Sequence, residues 1–433
     1  MITSDAWSGK RYAVLGLARS GRATVEALLA SGAEVLAWDS REEARAAFAG
    51  LVDIADPVEA DLSGFAGVVV SPGVPLNTHP IKPHADSFGV PVIGDIELFA
   101  QARPGLPTHK VVGITGTNGK STTTALVHHI LRTAGVPTTM GGNIGLPILE
   151  QDPLPEGGVY VLELSSYQID LTYSLDCDVA VLLNITPDHL DRYESFEAYR
   201  TSKLRLFEMQ SEGHWRFEPD NRRAMTDPGD VWGVFGEDGK THRDATQFGS
   251  QTDWPSLQGS HNAENAQMAI AATSAVGLSD AEIAAGLRTY PGLPHRMERV
   301  AEVGGVAFVN DSKGTNTAAT APALAAFDNI YWIVGGLAKE PGLGECEGEL
   351  AHVKAAYTIG KAGPDFAALL EDRVPVTRSE TLDRAVAAAS GAAAPGDTVL
   401  LSPACASFDQ FRDFEHRGDA FRAAVQSLQE SAA

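Results

Sequence analysis

Short apolar runs closed by glycine or polar turn residues alternate with alanine-rich stretches along most of this chain. Such runs are too short for core helices, and the turn residues behind them mark the ends of buried parallel strands. Toward the N-terminus the pattern predicts strands over 12–16, 34–38 and 68–70, with a helix over 23–30. The Pro- and Gly-containing segment 102–107 reads as a linker. A second set follows: a strand from near Lys110, strands over 159–164 and 179–184, and helices over 196–209 and 262–276. The polar stretch 212–253 predicts hairpins and loops. Pro291-Gly292-Leu293-Pro294 marks another boundary, with strands over 306–310, 330–334 and 398–402 beyond it, separated by alanine-rich helices. Strand alternating with helix implies parallel sheets, so the fold class is α/β.

Composition narrows the chemistry. The 433 residues, 44% of them hydrophobic, are enough for about three cores. Lys and Arg number 33 against 56 Asp and Glu, a net charge of −23. That acidity argues against nonspecific binding to nucleic acid or to an anionic membrane, and any site for an anionic substrate must be locally basic. Cys177, Cys346 and Cys405 lack metal-ligand spacing, which suits a reducing compartment. The opening Met1-Ile2-Thr3-Ser4-Asp5 is no signal peptide, and no apolar run approaches the roughly 20 residues of a membrane span. A cytoplasmic enzyme without membrane or nucleic-acid partners is expected.

The most demanding motif is Gly113-Ile114-Thr115-Gly116-Thr117-Asn118-Gly119-Lys120-Ser121-Thr122, after an apolar strand and before a helix start. Backbone N–H groups at a helix N-terminus cradle phosphate, Lys120 can reach the terminal phosphates, and Ser121 or Thr122 can ligate Mg²⁺. The expected cofactor is ATP or GTP. Ile114 stands where the usual G-x-x-x-x-G-K-S/T loop has glycine.

Other candidates sit at strand ends. Gly16 to Gly21, followed by Asp39, forms a relaxed dinucleotide fingerprint in which Ala18 replaces the middle glycine. Ser71-Pro72-Gly73 closes another strand, a place where parallel sheets hold ligands. Glu163, at a strand end, is placed to hold Mg²⁺, and His189 is a possible metal ligand, although a lone histidine is more often structural. Lys203 reads by default as a surface lysine, but with a depressed pKa it can take up CO₂ as an anionic, metal-binding carbamate. Asn143 offers an amide in the glycine loop 141–145. Asn262 and Asn265 share a helix face and either bind a base or ribose or cap the helix. Arg296, at a domain boundary, can swing onto phosphate. Asp311, Lys313 and Thr315 could contact nucleotide and a second substrate, and Ser407 with its neighbouring N–H groups a carboxylate.

In this order the motifs T-G-T-N-G-K-S-T, G-G-N-I-G, L-E-L-S-S-Y-Q, H-N-A-E-N, L-P-H-R and N-D-S-K-G-T-N resemble the Mur ligase family over nearly the whole chain. Within it, N-I-T-P-D-H-L-D-R-Y and S-P-A-C-A-S-F-D-Q-F are similar to the member that adds D-glutamate to UDP-N-acetylmuramoyl-L-alanine. The resemblance implies a UDP-binding Rossmann-like domain over 1–102, a central P-loop-type ATPase with a mostly parallel sheet over 108–293, and an amino-acid-binding Rossmann-like domain over 296–433. It implies ATP-driven amide formation through an acyl phosphate, with ATP and Mg²⁺ as cofactors, in a monomer.

By the same resemblance Gly116, Thr117, Asn118, Gly119, Lys120, Ser121 and Thr122 cradle ATP, helped by Asn262, Asn265 and Arg296, with Asp311 on its ribose. Ser121, Glu163, His189 and a carbamylated Lys203 hold Mg²⁺; Asn143 and His189 contact substrate. Lys313, Thr315, Ser407 and Phe414 place D-glutamate, and Ala18, Arg19, Asp39, Ser71, Pro72 and Gly73 line the UDP pocket. The catalytic group is then Lys120, Glu163, His189, Lys203 and Arg296. Competing readings are a related amide ligase such as a folylpolyglutamate synthase, an NAD-dependent oxidoreductase resting on residues 16–39, and a non-catalytic nucleotide binder. The handedness of the glutamate is not legible in one-dimensional motifs.

Overall fold

The structure, a computed structural model, describes residues 1–186, 188, 192–218, 234–235 and 248–432. They form two compact units, Met1–Phe248 with Gln267–Gly286, and Gly249–Ala266 with Leu287–Ala433.

The first unit holds two sheets. One comprises β1 (Arg11–Leu15), β2 (Glu34–Trp38), β3 (Asp53–Ile54), β4 (Phe65–Val70) and β5 (Val92–Ile93), all parallel in the order β3-β2-β1-β4-β5. The direction of winding reverses beside β1, so a crevice opens between the loops after β1 and β4. The other comprises β6 (His109–Thr115), β7 (Thr138–Gly142), β8 (Gly158–Glu163), β9 (Val179–Leu182), β10 (Trp215–Phe217) and β11 (Val234–Phe235) in the order β11-β10-β9-β6-β8-β7. Only the β10–β11 pair is antiparallel. Register pairs Ile114 with Glu163, Gly142 with Glu163, and Thr115 with Leu182, which gathers the ends of β6, β7, β8 and β9 at one rim.

Between the sheets, helix Asp95–Ala102 buries Leu98 and Phe99 in a core shared with Trp7, Val111, Tyr160 and Leu162. The Phe99 and Tyr160 rings meet edge to face with centroids 5.0 Å apart. The linker segment is a single turn, Arg103–Gly105.

The second unit holds β12 (Glu298–Val303), β13 (Val306–Asn310), β14 (Ile330–Gly335), β15 (Val353–Ile359), β16 (Val376–Glu380) and β17 (Thr398–Leu401) in the order β12-β13-β17-β14-β15-β16. All pairs are parallel except β12 with β13. Trp332, Phe366 and Leu400 pack one face, and Phe308, Ile333, Phe421 and Val425 the other.

Several elements differ from expectation. The first helix starts at Arg19 rather than residue 23. β9 stops at Leu182 because Asn184 leaves the ladder to bond the phosphate loop. The polar edge strand β12 and the strands β7, β15 and β16 carry weaker patterns than the sequence reading required. Much of 212–253 lies outside the described residues. Among the described residues, no helix is long and apolar enough to cross a membrane.

Candidate active site

The phosphate loop is shaped by its glycines. Gly116 (φ +154°) and Gly119 (φ +82°) adopt conformations that L side chains disfavour, and a Cβ on Gly116 would stand 2.9 Å from that of Leu183. Helix Lys120–Thr133 starts directly after Gly119. Its first turn therefore presents backbone N–H groups, with Ser121 and Thr122 half-buried there. Lys120 folds back so that Nζ donates to the carbonyls of Gly116 at 2.8 Å and Thr117 at 2.7 Å. Asn184 braces the loop from outside: Oδ1 accepts from the Asn118 N–H at 2.8 Å and Nδ2 donates to the Asn118 carbonyl at 3.2 Å. Sequence reasoning placed Asn184 at a strand end and in the motif N-I-T-P-D-H-L-D-R-Y without giving it a role.

Lys203 joins this loop from helix Phe196–Glu208. It is 2% exposed, so the default reading of a surface lysine fails. Its Nζ donates to the Gly116 carbonyl at 2.9 Å and lies 4.6 Å over the Tyr199 ring, while the Tyr199 hydroxyl meets Thr117 Oγ1 at 3.1 Å. Burial, reinforced by the charge of Lys120, brings its pKa down to about 7. A neutral amine of that kind can add CO₂.

Glu163 ends β8 in a buried position. Its Oε1 accepts from Asn143 Nδ2 at 2.9 Å, and its backbone carbonyl accepts from the Asn143 N–H at 2.9 Å. Gly142 (φ +86°) allows this approach, since a Cβ there would fall 2.2 Å from the Glu163 carbonyl oxygen. Glu163 Oε2 is buried with no hydrogen-bond partner among the described residues. A carboxylate oxygen left this way is costly unless a cation or donor meets it. Carboxylate and hydroxyl oxygens form the hard donor set that Mg²⁺ prefers, so Glu163 and Ser121 fit that ion chemically. His189 lies outside the described residues.

The loops of the first sheet make a second cluster in this unit. Asp39 Oδ2 accepts from the Leu17 N–H at 2.7 Å, and Oδ1 accepts from the Arg41 N–H at 2.9 Å and Nε at 3.1 Å. The Arg41 side chain chiefly holds the Asp39 carboxyl down to about 2. Ser71 Oγ donates to the Gly16 carbonyl at 2.9 Å, joining the loop of Ser71-Pro72-Gly73 to the fingerprint turn. A Cβ on Gly21 would sit 1.8 Å from that same carbonyl, so only glycine fits. Ala18 caps helix Arg19–Ala30 without a side-chain hydrogen bond, which leaves the N-terminal N–H groups for a ligand anion. Arg19 Nη2 donates to the Gly145 carbonyl at 2.7 Å, and Arg192 Nη2 to the Gly73 carbonyl at 3.2 Å, so both loops meet the segment of Asn143 or the approach to Lys203.

In the second unit, Arg296 sits in a turn between two residues of positive φ, His295 (+62°) and Met297 (+47°). The Met297 N–H donates to Asp311 Oδ1 at 3.2 Å, and the Lys313 N–H to the His295 carbonyl at 2.9 Å. Asp311 also accepts from Ser402 Oγ at 2.6 Å, and burial pushes its carboxyl up to about 7. The Lys313 ammonium lies 4.0 Å over the Phe414 ring. Lys339, not anticipated, donates to Thr315 Oγ1 at 3.3 Å; its signal is a lysine closely following the strand end Gly335-Gly336. The buried Ser407 follows Ala406, which pairs with Leu337 through hydrogen bonds of 2.8 and 3.0 Å. Arg296, Asp311 and Lys313 thus converge, as do Lys313, Thr315, Phe414 and Lys339. Asn262 and Asn265 lie inside helix Ser260–Ala275 rather than at its cap; Asn265 Nδ2 donates to Asn262 Oδ1 at 3.2 Å, and Asn262 Nδ2 to the Gln258 carbonyl at 3.0 Å.

Comparison with known proteins gives this geometry a context. The Mur ligase middle domain matches residues 114–225, and the Mur ligase glutamate ligase domain matches residues 295–405. The chain is 61% identical to a UDP-N-acetylmuramoylalanine–D-glutamate ligase of Novosphingobium aromaticivorans, covering 99% of this chain and 97% of that one. It is 59% identical to the enzyme of the same name from Sphingopyxis alaskensis, over 99% and 100% of the two chains. Among solved structures it is similar to MurF ligase from Thermotoga maritima in complex with ADP, with a TM-score of 0.55 and 15% identity over 98% of this chain and 96% of that one. That last likeness speaks to the fold alone.

Proposed function

Since the chain belongs to the Mur ligase family, we propose that it joins D-glutamate to the alanyl carboxylate of UDP-N-acetylmuramoyl-L-alanine, driven by ATP, to make a peptidoglycan precursor. The near-complete likeness to D-glutamate ligases carries this conclusion. The sugar-nucleotide carboxylate attacks the γ-phosphorus of ATP and expels ADP to give an acyl phosphate, and the neutral amine of D-glutamate then adds to its carbonyl carbon, the tetrahedral intermediate losing a proton and expelling phosphate to leave the amide.

Lys120 and the N–H groups of Gly116 to Thr122 hold the phosphates and offset charge as the phosphoryl group transfers. Glu163, Ser121, His189 and a carbamylated Lys203 would hold Mg²⁺, which supplies further neutralisation of phosphoryl charge when bound. Asn143 orients Glu163 and meets substrate. Ala18, Arg19, Asp39 and the 71–73 loop receive the UDP moiety in a domain spanning 1–102, with helix N–H groups facing diphosphate rather than nicotinamide. The domain over 108–293 is the ATPase, and that over 296–433 receives the amino acid. Asn262, Asn265, Arg296 and Asp311 contact ATP. Lys313, Thr315, Ser407 and Phe414, joined by Lys339, form a cationic and hydroxyl-rich pocket for a dicarboxylate. The enzyme works in the cytoplasm as a monomer.

The test is product identification by mass spectrometry after incubation with ATP, Mg²⁺, the sugar nucleotide and D-glutamate. The expected product has the mass of both substrates less one water; unchanged sugar nucleotide would refute the reading.

A further inference from the structure

We propose that Arg417 is a positioning residue for the amino-acid pocket, its buried guanidinium fixing the loops that present Lys313, Ser407 and Phe414. This rests on the reading of those residues as the D-glutamate site. Arg417 is 1% exposed. Nε donates to Ser312 Oγ at 3.0 Å, Nη2 to the Ser312 carbonyl at 2.8 Å, and Nη1 to the Cys405 carbonyl at 3.0 Å. Ser312 Oγ in turn donates to the Phe414 carbonyl at 2.8 Å. Ser312 directly precedes Lys313, Cys405 shortly precedes Ser407, and Phe414 lies one turn before Arg417 on the same helix.

The end of β14 closes on the same group. A Cβ on Gly336 would stand 3.2 Å from Arg417 Nη1 and 2.4 Å from the Ala406 carbonyl oxygen, so glycine is needed where the chain turns toward Lys339. Every segment that carries a pocket residue is therefore tied to or packed on one guanidinium. Among the described residues no carboxylate makes an ion pair with it; its acceptors are carbonyl and hydroxyl oxygens. Burying a charge on neutral acceptors is unfavourable beside an apolar side chain of similar volume. An apolar side chain, however, could not hold two loop carbonyls, and the point charge of lysine could not reproduce the planar fork. The retained positive charge also favours an incoming dicarboxylate.

The experiment compares wild-type enzyme with Arg417→Lys and Ser312→Ala in steady-state kinetics. It also traps the acyl phosphate with hydroxylamine in the absence of D-glutamate. In Arg417→Lys the KM for D-glutamate rises about tenfold or more while the KM values for ATP and sugar nucleotide stay within about twofold. Hydroxamate forms at the wild-type rate. Ser312→Ala, which removes one acceptor, moves the same KM in the same direction by a smaller factor, and decides the matter where Arg417→Lys does not fold. An unchanged D-glutamate KM in the variants overturns the inference and leaves the ligase reading standing. A parallel rise in all three KM values, or lost hydroxamate formation, overturns it in favour of a general structural role. Absence of D-glutamate-dependent phosphate release in the wild type overturns the ligase reading and this inference with it.

Discussion

Lys203 and Lys120 donate to a single acceptor, the carbonyl oxygen of Gly116, at 2.9 and 2.8 Å. Two ammonium groups so close repel each other, and Lys203, the more deeply buried, yields. The arrangement favours the neutral amine of Lys203 at the rim of the phosphate loop, where a carbamate would turn a repulsive cation into a metal-binding anion.

Lys203→Ala is expected to lose activity by about 10²-fold or more and to regain part of it with acetate or another short carboxylate. The neutral amine becomes scarcer as pH falls through about 7, so removal of dissolved CO₂ from the wild type should cost more activity on the acid side. Rates in CO₂-stripped buffers across pH check this; full activity of Lys203→Ala without rescue would remove Lys203 from the mechanism.

Glu163 Oε2, buried without a hydrogen-bond partner among the described residues, predicts a cation. Glu163→Gln keeps the shape and removes the charge, so the Mg²⁺ concentration for half-maximal rate should rise by about tenfold or more. Asn143→Ala should move it in the same direction by less. A Mg²⁺ titration that superimposes on the wild type would exclude Glu163 as a ligand.

Asp39 accepts from the Leu17 N–H with a charged oxygen, a bond of a kind worth ~1.5–3 kcal/mol. Asp39→Ala should therefore raise the KM for the sugar nucleotide by roughly 10–100-fold, with the KM for D-glutamate unchanged. Because the folded-state pKa is lowered to about 2, its contribution to stability is present above the ordinary carboxylate range and is lost as pH falls from about 4 toward 2. Steady-state kinetics and acid unfolding of the variant measure the two effects.

Asp311 gives the opposite sign. Burial raises its folded-state pKa to about 7, so the folded chain keeps a proton that the unfolded chain has released. Its contribution to stability is complete below the ordinary carboxylate pKa and declines as pH rises toward about 7. In Asp311→Asn that decline should vanish, so the Tm difference between variant and wild type should shift in the variant's favour from about pH 4 to 7. A difference independent of pH would show that folding does not raise the Asp311 pKa.

Legibility in the sequence followed the range of the forces. The phosphate loop was readable because Gly116 and Gly119 are demanded locally by their own φ angles. The place of Glu163 at the end of a strand was readable because a strand end after an apolar run needs no partner to be recognised. The burial of Lys203 was not, since it comes from Tyr199 and a carbonyl on a distant loop, and only the family resemblance singled that lysine out. Arg417 was invisible for the same reason, its bonds spanning most of the second unit's sequence. Edge strand β12 alternates charged and apolar residues too weakly to register, and pairing with β13 decides it.

The most direct measurement is phosphate release from ATP and Mg²⁺ with UDP-N-acetylmuramoyl-L-alanine, adding D-glutamate, L-glutamate or neither. Release that requires both the sugar nucleotide and D-glutamate is the predicted result. Release that is equal with L-glutamate, or absent with D-glutamate, would contradict the assignment of this chain as a D-glutamate ligase.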